Sequence, residues 1–466
     1  MNHNNPVSLV AIIGGGFTGT AVAFHLAANP TLGSSSIVVF EPRENLGGGL
    51  AYDTQDPAHR INVPATRMSL LPDDDEHFFR WLKENHDPSA DPAALTADGR
   101  LFPRRGVFGR YVANYLKDDL DKGRIRHEQH RVVGVTRHGE HWRIVDEEGR
   151  VFMADIVVIA TTHPPPQPPA GIERALSGHP RYVRDATRPD ALAVVRPDDR
   201  VLVVGNGLTS ADVIASLRAR GHRGPITALS RRGLRSRGHA TLPQEPFGDF
   251  LQPSHPTARS LLRAVRTAID AAECQGISWH AVLDAVRAQA GGIWRQFPIS
   301  EKRRLVRHLR AYWDVHRFRI APQVEEALDA AVADGSLRIL AGKIIDLEQQ
   351  ADVIACTIRY RRSSEEVRSF HDAVIVTTGP SHASILSWQP WLRELSDTGL
   401  VCLDPIGLGL ACSERSQALG RDGIALDSLF IAGPLARGTF GELMGLPQVS
   451  QHAAMVAAQV AQVIVG

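Results

Sequence analysis

Two glycine-rich turns, and the side chains that follow them, carry the clearest chemical potential in the chain. The first is Gly14-x-Gly16-x-x-Gly19, and the next apolar run ends in a carboxylate, Glu41. Glycines at this spacing permit a tight turn, let backbone N–H groups approach a pyrophosphate, and let a helix pack closely on a strand. The pyrophosphate then meets the positive end of the helix dipole. A carboxylate at the tip of the second strand can accept hydrogen bonds from a ribose diol. The second turn, Gly205-x-Gly207-x-x-Ser210, repeats the pattern, but its second strand ends in Ser230-Arg231-Arg232. A serine and two guanidiniums suit a 2′-phosphate through charge-assisted hydrogen bonds, whereas an acid repels one. The first site therefore reads as one for FAD or NAD, and the second as one for NADPH. A third group, Trp313-Asp314-Val315-His316-Arg317, gathers carboxylate, imidazole and guanidinium within one turn. It reads better as a buried network joining an insert to the core than as an acid–base centre.

Elements to position these groups follow from the apolar patterning. Residues 10–13 predict a buried strand, the glycines a turn, Ala21, Phe24 and Leu26 a helix, and residues 37–40 a second strand. Gly47-Gly48-Gly49 next allows either a flexible loop or a close pass against something flat or bulky. The aperiodic stretch 59–74 carries Asn62, Arg67, Met68 and Ser69, which could lie against a cofactor ring. Helices are expected over 77–83 and 107–116, the second with Phe108, Tyr111 and Tyr115 as packing groups. Alternating runs over 131–154 predict a β-meander, and 156–160 a strand returning to the parallel sheet. The proline run TTHPPPQPP then makes a stiff connector.

The same theme recurs at domain scale. VLVVGNGLTSADVIASL repeats the strand, turn and helix, and AVIVTTGP matches the earlier IVVIATTHP. Asp155 and Asp372 each stand just before the returning strand. Between the second strand of the second copy and its meander, at about 250–335, lies a helical insert. Its apolar positions include Leu261, Val265 and Ile269, then Trp279, Val282 and Val286, then Leu305, Leu309 and Trp313. Ser278 and Ser300 are expected N-caps. Arg303, Arg307 and Arg310 share one face of the last of these helices, a face that is usually solvated but could help hold an anionic cofactor. The closing segment predicts a strand at 429–432, a glycine-rich loop and a long apolar helix that returns to the first domain. There, N–H groups at the helix start could face a flavin's pyrimidine edge.

A chain of 466 residues suggests two or three domains. Its 43% hydrophobic and 22% charged content is that of a soluble globular protein, and a net charge of +1 gives no sign of nucleic-acid or membrane attraction. Four scattered cysteines, without a CxxC, argue against a disulfide framework, a zinc site or a redox dithiol. The N-terminus lacks a secretory pattern, and the apolar run 452–465 is too short and too rich in glutamine for a membrane span. A cytoplasmic location is the expectation.

The combination of GGGFTG, GLAY, INVPATRMSLLPDD, FPRRGVFGRYV, VVGNGLTSADV, LSRRG, YWDVHR and GPLARGT resembles the YdhS-like FAD/NAD(P)-binding family, related to flavin-dependent N-hydroxylating monooxygenases. The resemblance spans nearly the whole chain. It implies FAD at Gly14, Gly16, Gly19 and Glu41, and NADPH at Gly205, Gly207, Ser210 and Arg231. One departure stands out: where many such flavoproteins place Gly-Asp near the C-terminus, this chain has Gly433-Pro434.

The expected fold is α/β, with two Rossmann-like dinucleotide-binding domains arranged as in glutathione reductase, plus the helical insert. Residues 1–165 and 380–466 would form a discontinuous FAD-binding domain and 166–379 the NADPH-binding domain. Around FAD the candidate contacts are Gly14, Gly16, Phe17, Thr18, Gly19, Glu41, Pro42 and Arg43. Later segments add Asn62, Arg67, Met68, Val132, Ala160, Thr161 and Gly433. For NADPH they are Gly205, Asn206, Gly207, Leu208, Thr209, Ser210, Ser230, Arg231 and Arg232. The expected activity is reduction of flavin by NADPH, then reaction with O₂ and oxygen transfer to a small nitrogen or sulfur nucleophile. A plain NADPH-dependent reductase or oxidase and a non-catalytic redox sensor are the alternatives. No catalytic side chain and no metal site is singled out. The expected partner is a small-molecule substrate, with no nucleic acid or membrane, and the oligomeric state stays open.

Overall fold

The computed structural model describes residues 9–32, 36–252 and 254–465. The segment MNHNNPVS, on which the absence of a secretory pattern was read, lies outside the described residues. Seven strands come first: β1 (Leu9–Ile13), β2 (Ser36–Phe40), β3 (Ile125–Glu128), β4 (Val132–His138), β5 (His141–Asp146), β6 (Val151–Ala154) and β7 (Ile156–Ile159). Then follow β8 (Tyr182–Val183), β9 (Val201–Val204), β10 (Ile226–Ser230), β11 (Leu337–Gln350), β12 (Val353–Tyr360), β13 (Glu366–His371) and β14 (Ala373–Val376). The last two are β15 (Gln417–Leu419) and β16 (Ala425–Ile431).

Strands β1, β7, β9 and β14 are short apolar runs buried on both faces, which is what helix-covered parallel strands require. They form the centres of two sheets. The first has the order β15-β16-β7-β1-β2-β3, parallel except for the β15–β16 pair. The second has the order β13-β12-β11-β10-β9-β14-β8. The first meander, β4–β6, stands apart as a three-stranded antiparallel sheet. The second is fused to its parallel sheet through β11. The first five residues of β11 run parallel to β10, and its remainder pairs antiparallel with β12.

The repeat seen in the sequence is also a repeat of contacts. Asp155 Oδ2 accepts from Leu9 N at the start of β1 (2.9 Å), and Asp372 Oδ2 accepts from Arg200 N just before β9 (2.8 Å). Each carboxylate thus ties its returning strand to the strand that opens the unit. The chain passes from the first sheet to the second through the proline run and returns after β14. Pro166 and Pro380 form a β-bridge that holds these two connectors side by side.

The expected helices at 77–83 and 107–116 are longer than anticipated, at His77–Asn85 and Arg105–Asp121. The closing helix, Gln448–Val465, buries Ala453, Val456 and Val460 in the core that holds helix Phe17–Ala27. The insert comprises Ala258–Glu273, Trp279–Ala288, Ala290–Gln296, Ile299–His308 and Arg310–Arg317, around a core of its own that includes Phe250, Val282, Ile293 and Phe297. Helix Pro322–Ala333, within the expected insert range, buries Val324 and Leu328 in the core shared with helix Leu208–Ala219. It is the crossover between β10 and β11.

Three expectations for the insert are corrected. The run from Leu305 to Trp313 is not one helix, because Leu309 interrupts it. Arg310 therefore leaves the face of Arg303 and Arg307, and its Nη2 lies 3.0 Å from His382 Nε2. Ser300 is not an N-cap, since Pro298 occupies that position and Ser300 falls inside the first turn. Ser278 holds the N-cap position of its helix, but its hydroxyl donates to Gln244 Oε1 (2.6 Å) instead of capping. Among the described residues, no helix is long and apolar enough to cross a membrane.

Candidate active site

The first glycine turn is built as its spacing requires. Gly14 has φ +104°, and a Cβ there would lie 2.7 Å from Ala160 O. A Cβ on Gly19 would fall 1.9 Å from Gly14 O, so only glycine lets the helix start this close to the strand. Gly16 precedes helix Phe17–Ala27, and no side chain caps its first N–H groups. They are left for an anion. Gly47-Gly48-Gly49 is a close pass against this turn. A Cβ on Gly49 would lie 2.8 Å from Gly16 Cα, and one on Gly47 2.5 Å from Val112.

Glu41 follows the tip of β2 and is 4% exposed. One carboxylate oxygen accepts from Gly15 N (3.0 Å), and the other accepts from Arg43 N (3.2 Å) and Arg43 Nη1 (3.0 Å). The carboxylate thus faces the glycine turn directly.

A cavity of about 1540 Å³ opens from this turn. Gly14, Gly16, Phe17, Thr18, Glu41 and Arg43 line one end. Asn62, Arg67 and Met68 of the aperiodic segment, and Ala160 and Thr161 after β7, line it as well. It continues to Leu208, Thr209 and Asp212 at the start of the second repeat's helix. The insert adds His239, His280, Asp284, Arg287, Arg317 and Arg319, and the C-terminal segment adds Met444, Leu446 and Val449. None of the four cysteines lines it.

Other expected residues lie elsewhere. Gly19 serves the packing of helix on strand. Pro42 is exposed and outside the lining. Val132, at the start of β4, is 4% exposed and belongs to the core between the first sheet and the meander. Gly433 does not offer its N–H, which is donated to His452 Nδ1 (3.1 Å).

The second repeat has the same turn, with Gly205 at φ +121° and Gly207 before an uncapped helix start. In place of the third glycine, Ser210 is fully buried with no hydrogen-bond partner for its hydroxyl. Gly205, Asn206, Gly207 and Ser210 do not line the cavity. Nor do Ser230, Arg231 and Arg232. Ser230 Oγ accepts from Gly233 N (3.0 Å), Arg231 is exposed, and the Arg232 guanidinium lies 5.1 Å from the Tyr312 ring centre. The basic turn lies outside the cavity.

Several of the cavity's charged groups are paired with one another. Four lining carboxylates each meet an arginine: Glu41 meets Arg43, Asp56 meets Arg220, Asp212 meets Arg105 and Asp284 meets Arg319. Burial pushes the imidazole of His239 down to about 3 and that of His280 to about 4, so both are neutral at pH 7. His239 Nε2 lies 3.0 Å from Asn62 O and His280 Nε2 lies 3.3 Å from Gly238 O. The Trp313–Arg317 group is a joint between insert and C-terminal segment. Arg317 Nη2 lies 2.8 Å from Glu442 Oε1, and Trp313 Nε1 donates to Glu442 Oε2 (3.4 Å). His316 turns instead to Tyr312 O and the Trp279 ring. Arg303, Arg307 and Arg310 are absent from the lining. Sequence reading missed Asp212, His239, Asp284, Arg287 and Arg319, which come together only through the tertiary fold.

Residues 11–164 match the model of a family described as FAD-NAD(P)-binding. A search of curated proteins finds no match. Among solved structures, the chain is similar to the reduced form of ornithine hydroxylase from Pseudomonas aeruginosa. The identity is 14% and the TM-score 0.65, over 98% of this chain and 99% of that one. It is similar to L-lysine 6-monooxygenase from Pseudomonas syringae at 19% identity and TM-score 0.61, over 98% of both chains. It is also similar to the cadaverine monooxygenase of desferrioxamine biosynthesis from Erwinia amylovora, a structure bound to FAD. There the identity is 12% and the TM-score 0.63, over 97% of this chain and 94% of that one. At these identities the likeness establishes the fold, a two-unit α/β architecture shared over nearly the whole chain, whose opening third matches a family described as FAD-NAD(P)-binding.

Proposed function

We propose that this protein is an FAD- and NADPH-dependent oxidoreductase of the monooxygenase type, acting on a small nitrogen or sulfur nucleophile. The observation that carries the reading is the single cavity running from the first glycine turn and Glu41 to the second repeat's helix and on to the insert. Such a cavity can hold a bound redox cofactor at one end, admit a hydride donor from the second unit, and leave room for a substrate. The residues fit FAD. Glycines at 14 and 19 let the turn close tightly on the strand, the helix start after Gly16 is uncapped, and Glu41 faces this turn as a ribose diol would require.

When bound, the flavin supplies the redox chemistry, and the protein supplies binding, orientation and exclusion of water. The neutral His239 and His280 and the arginine-paired Asp212 and Asp284 suit that division. The absence of cysteines from the lining disfavours a dithiol relay. Solved relatives with names such as ornithine hydroxylase and cadaverine monooxygenase share the architecture over nearly the whole chain and support an amine nucleophile.

Residues 1–165 with 380–466 are assigned to the FAD unit, and 166–379 to the NADPH unit. The sheet memberships and the paired connectors support this division. Gly205, Gly207, Ser230 and Arg231 are assigned to NADPH. The test is NADPH oxidation by the FAD-loaded protein with a panel of primary amines under ¹⁸O₂, with product mass measured. One heavy oxygen atom in the product is expected. NADPH consumption without labelled product from any amine would favour a reductase or oxidase, and absence of flavin reduction would favour a sensor.

A further inference from the structure

Glu41 and Arg231 hold the same place in the two repeats, each the first residue after its unit's second strand. In each copy a side chain from the neighbouring chain segment meets the carbonyl of that residue. His127 Nε2, on β3, lies 2.8 Å from Glu41 O, and Arg361 Nη1 donates to Arg231 O (3.4 Å). The first copy thus brings an imidazole to an acidic residue, and the second a guanidinium to a basic one. Arg361 is 130 residues from Arg231 and reaches it through the fused meander. Strand β11 runs beside β10 as far as Ala341 opposite Ser230, then pairs with β12 from Gly342 opposite Tyr360. The end of β12 therefore returns to the tip of β10, where Arg361 N donates to Ala341 O (3.0 Å).

The turn that carries Arg231 is closed on itself. Ser230 Oγ accepts from Gly233 N (3.0 Å), and Gly233 takes φ +64° where it packs on Ala341. The Ser230 hydroxyl keeps its own proton to donate. Arg232 lies over the Tyr312 ring, whereas Arg231 and Arg361 are exposed, with no carboxylate partner among the described residues. Arg235 and Arg359, close by in the chain, pair with Asp329 and Glu366. Arg361 uses one N–H on the Arg231 carbonyl and keeps the rest of its fork free. A phosphate monoester carries close to two negative charges at neutral pH, which matches two guanidiniums, and its oxygens accept from both forks. A free ribose hydroxyl offers neither the charge nor the acceptors to engage both.

We propose that Arg361 is a coenzyme-specificity residue, whose guanidinium joins Arg231 and the Ser230 hydroxyl around the 2′-phosphate of NADPH. This rests on the reading of the second unit as the NADPH unit, and it adds a residue from the meander to a site otherwise built on the strand tip. The fusion of meander and sheet in the second copy is what supplies the extra cation. In the first copy the meander is a separate sheet, and β3 serves the equivalent carbonyl instead.

The experiment is calorimetric titration of the FAD-loaded protein with adenosine 2′,5′-bisphosphate and with 5′-AMP, which lacks the 2′-phosphate. Neither ligand carries a nicotinamide, so turnover plays no part. Wild type should bind the bisphosphate more tightly. Arg361→Gln keeps a donor for the Arg231 carbonyl and removes the charge. It should weaken the bisphosphate by about tenfold, the loss of one charge-assisted hydrogen bond, and leave 5′-AMP nearly unchanged. Arg362→Gln removes the next exposed cation along the chain and should change neither constant by more than about twofold, because solvent and salt screen it. The proposal is overturned if Arg361→Gln binds the bisphosphate as wild type does, or if Arg362→Gln loses as much. Equal loss of both ligands in Arg361→Gln would also overturn it, by making the residue a brace for the turn and no more. If wild type does not discriminate between the ligands, the NADPH reading falls and the proposal with it. If it discriminates and only Arg231→Gln abolishes the preference, the NADPH reading stands and Arg361 has no part in it.

Discussion

Replacing Glu41 by Gln keeps the shape of the side chain and removes its charge, and the surrounding geometry sets the expected cost. A carboxylate has about four lone-pair positions. Three are occupied, by Gly15 N, Arg43 N and Arg43 Nη1. One ribose hydroxyl can therefore bind at once, and a second must displace the Arg43 guanidinium. That guanidinium is 39% exposed and has another partner in Asp53 at 3.2 Å, so it can turn away without losing all compensation. A hydrogen bond to a charged group is worth about 1.5–3 kcal/mol. At about 1.4 kcal/mol per tenfold, Glu41→Gln should weaken FAD binding by about ten- to a hundredfold. Arg43→Ala, which frees an acceptor position, should leave affinity within about fivefold of wild type, since a side chain this exposed contributes at most about 1 kcal/mol. Quenching of flavin fluorescence on titration of apo-protein gives both constants. Unchanged affinity in Glu41→Gln would refute the assignment of this carboxylate to the ribose. So would an Arg43→Ala variant that loses as much as Glu41→Gln, because the basic side chain would then be the anchor.

The Arg200 guanidinium and N–H hold the Asp372 carboxyl well down, at about 2 against an ordinary 3.8. A group depressed on folding contributes stability that is fully present above the unfolded value and lost as pH falls through the folded one. The shift corresponds to about 2.5 kcal/mol, reduced to about 1–2 kcal/mol because Arg200 is 41% exposed and screened. Urea unfolding of Asp372→Asn should show that loss at pH 7 and little difference from wild type near pH 2; an equal deficit at both would contradict the ionic origin. For coenzyme choice, Arg231→Ala should raise the NADPH concentration needed for flavin reduction by about ten- to a hundredfold, the worth of one charge-assisted contact, and leave NADH nearly unchanged. Arg232→Ala should do less, because that guanidinium is already engaged over Tyr312. Stopped-flow reduction with both coenzymes decides, and equal losses of NADH and NADPH would make the basic turn structural.

The features legible in the sequence are those whose cause is local. A turn needing φ +104° with no room for a Cβ demands glycine whatever surrounds it, so the strand, turn and helix could be read directly at both repeats. Asp155 and Asp372 were visible as a matched pair because each acts on the strand that opens its unit. The insert was harder. Apolar spacing continues across Leu309 although the helix stops there, since periodicity reports which face is buried and not whether the backbone is continuous. Gly433 is a candidate cofactor contact in the sequence, but the fold brings His452 against its N–H. Arg287, Arg319, Asp284 and His239 carry no local signal. Charged residues on insert helices read as solvated until tertiary packing turns them toward the cavity.

The bridge between Pro166 and Pro380 has a consequence for how such a chain can be altered. It brings the two ends of the intervening stretch next to each other, so the first sheet sees everything between them as one closed loop. Loop-closure entropy grows only slowly with length, so the first sheet is nearly indifferent to how much chain the loop holds. The intervening stretch is thus bounded by two adjacent backbone positions, and a graft made there has to rebuild only the side-chain contacts across the boundary, such as Arg317 with Glu442 and Arg105 with Asp212.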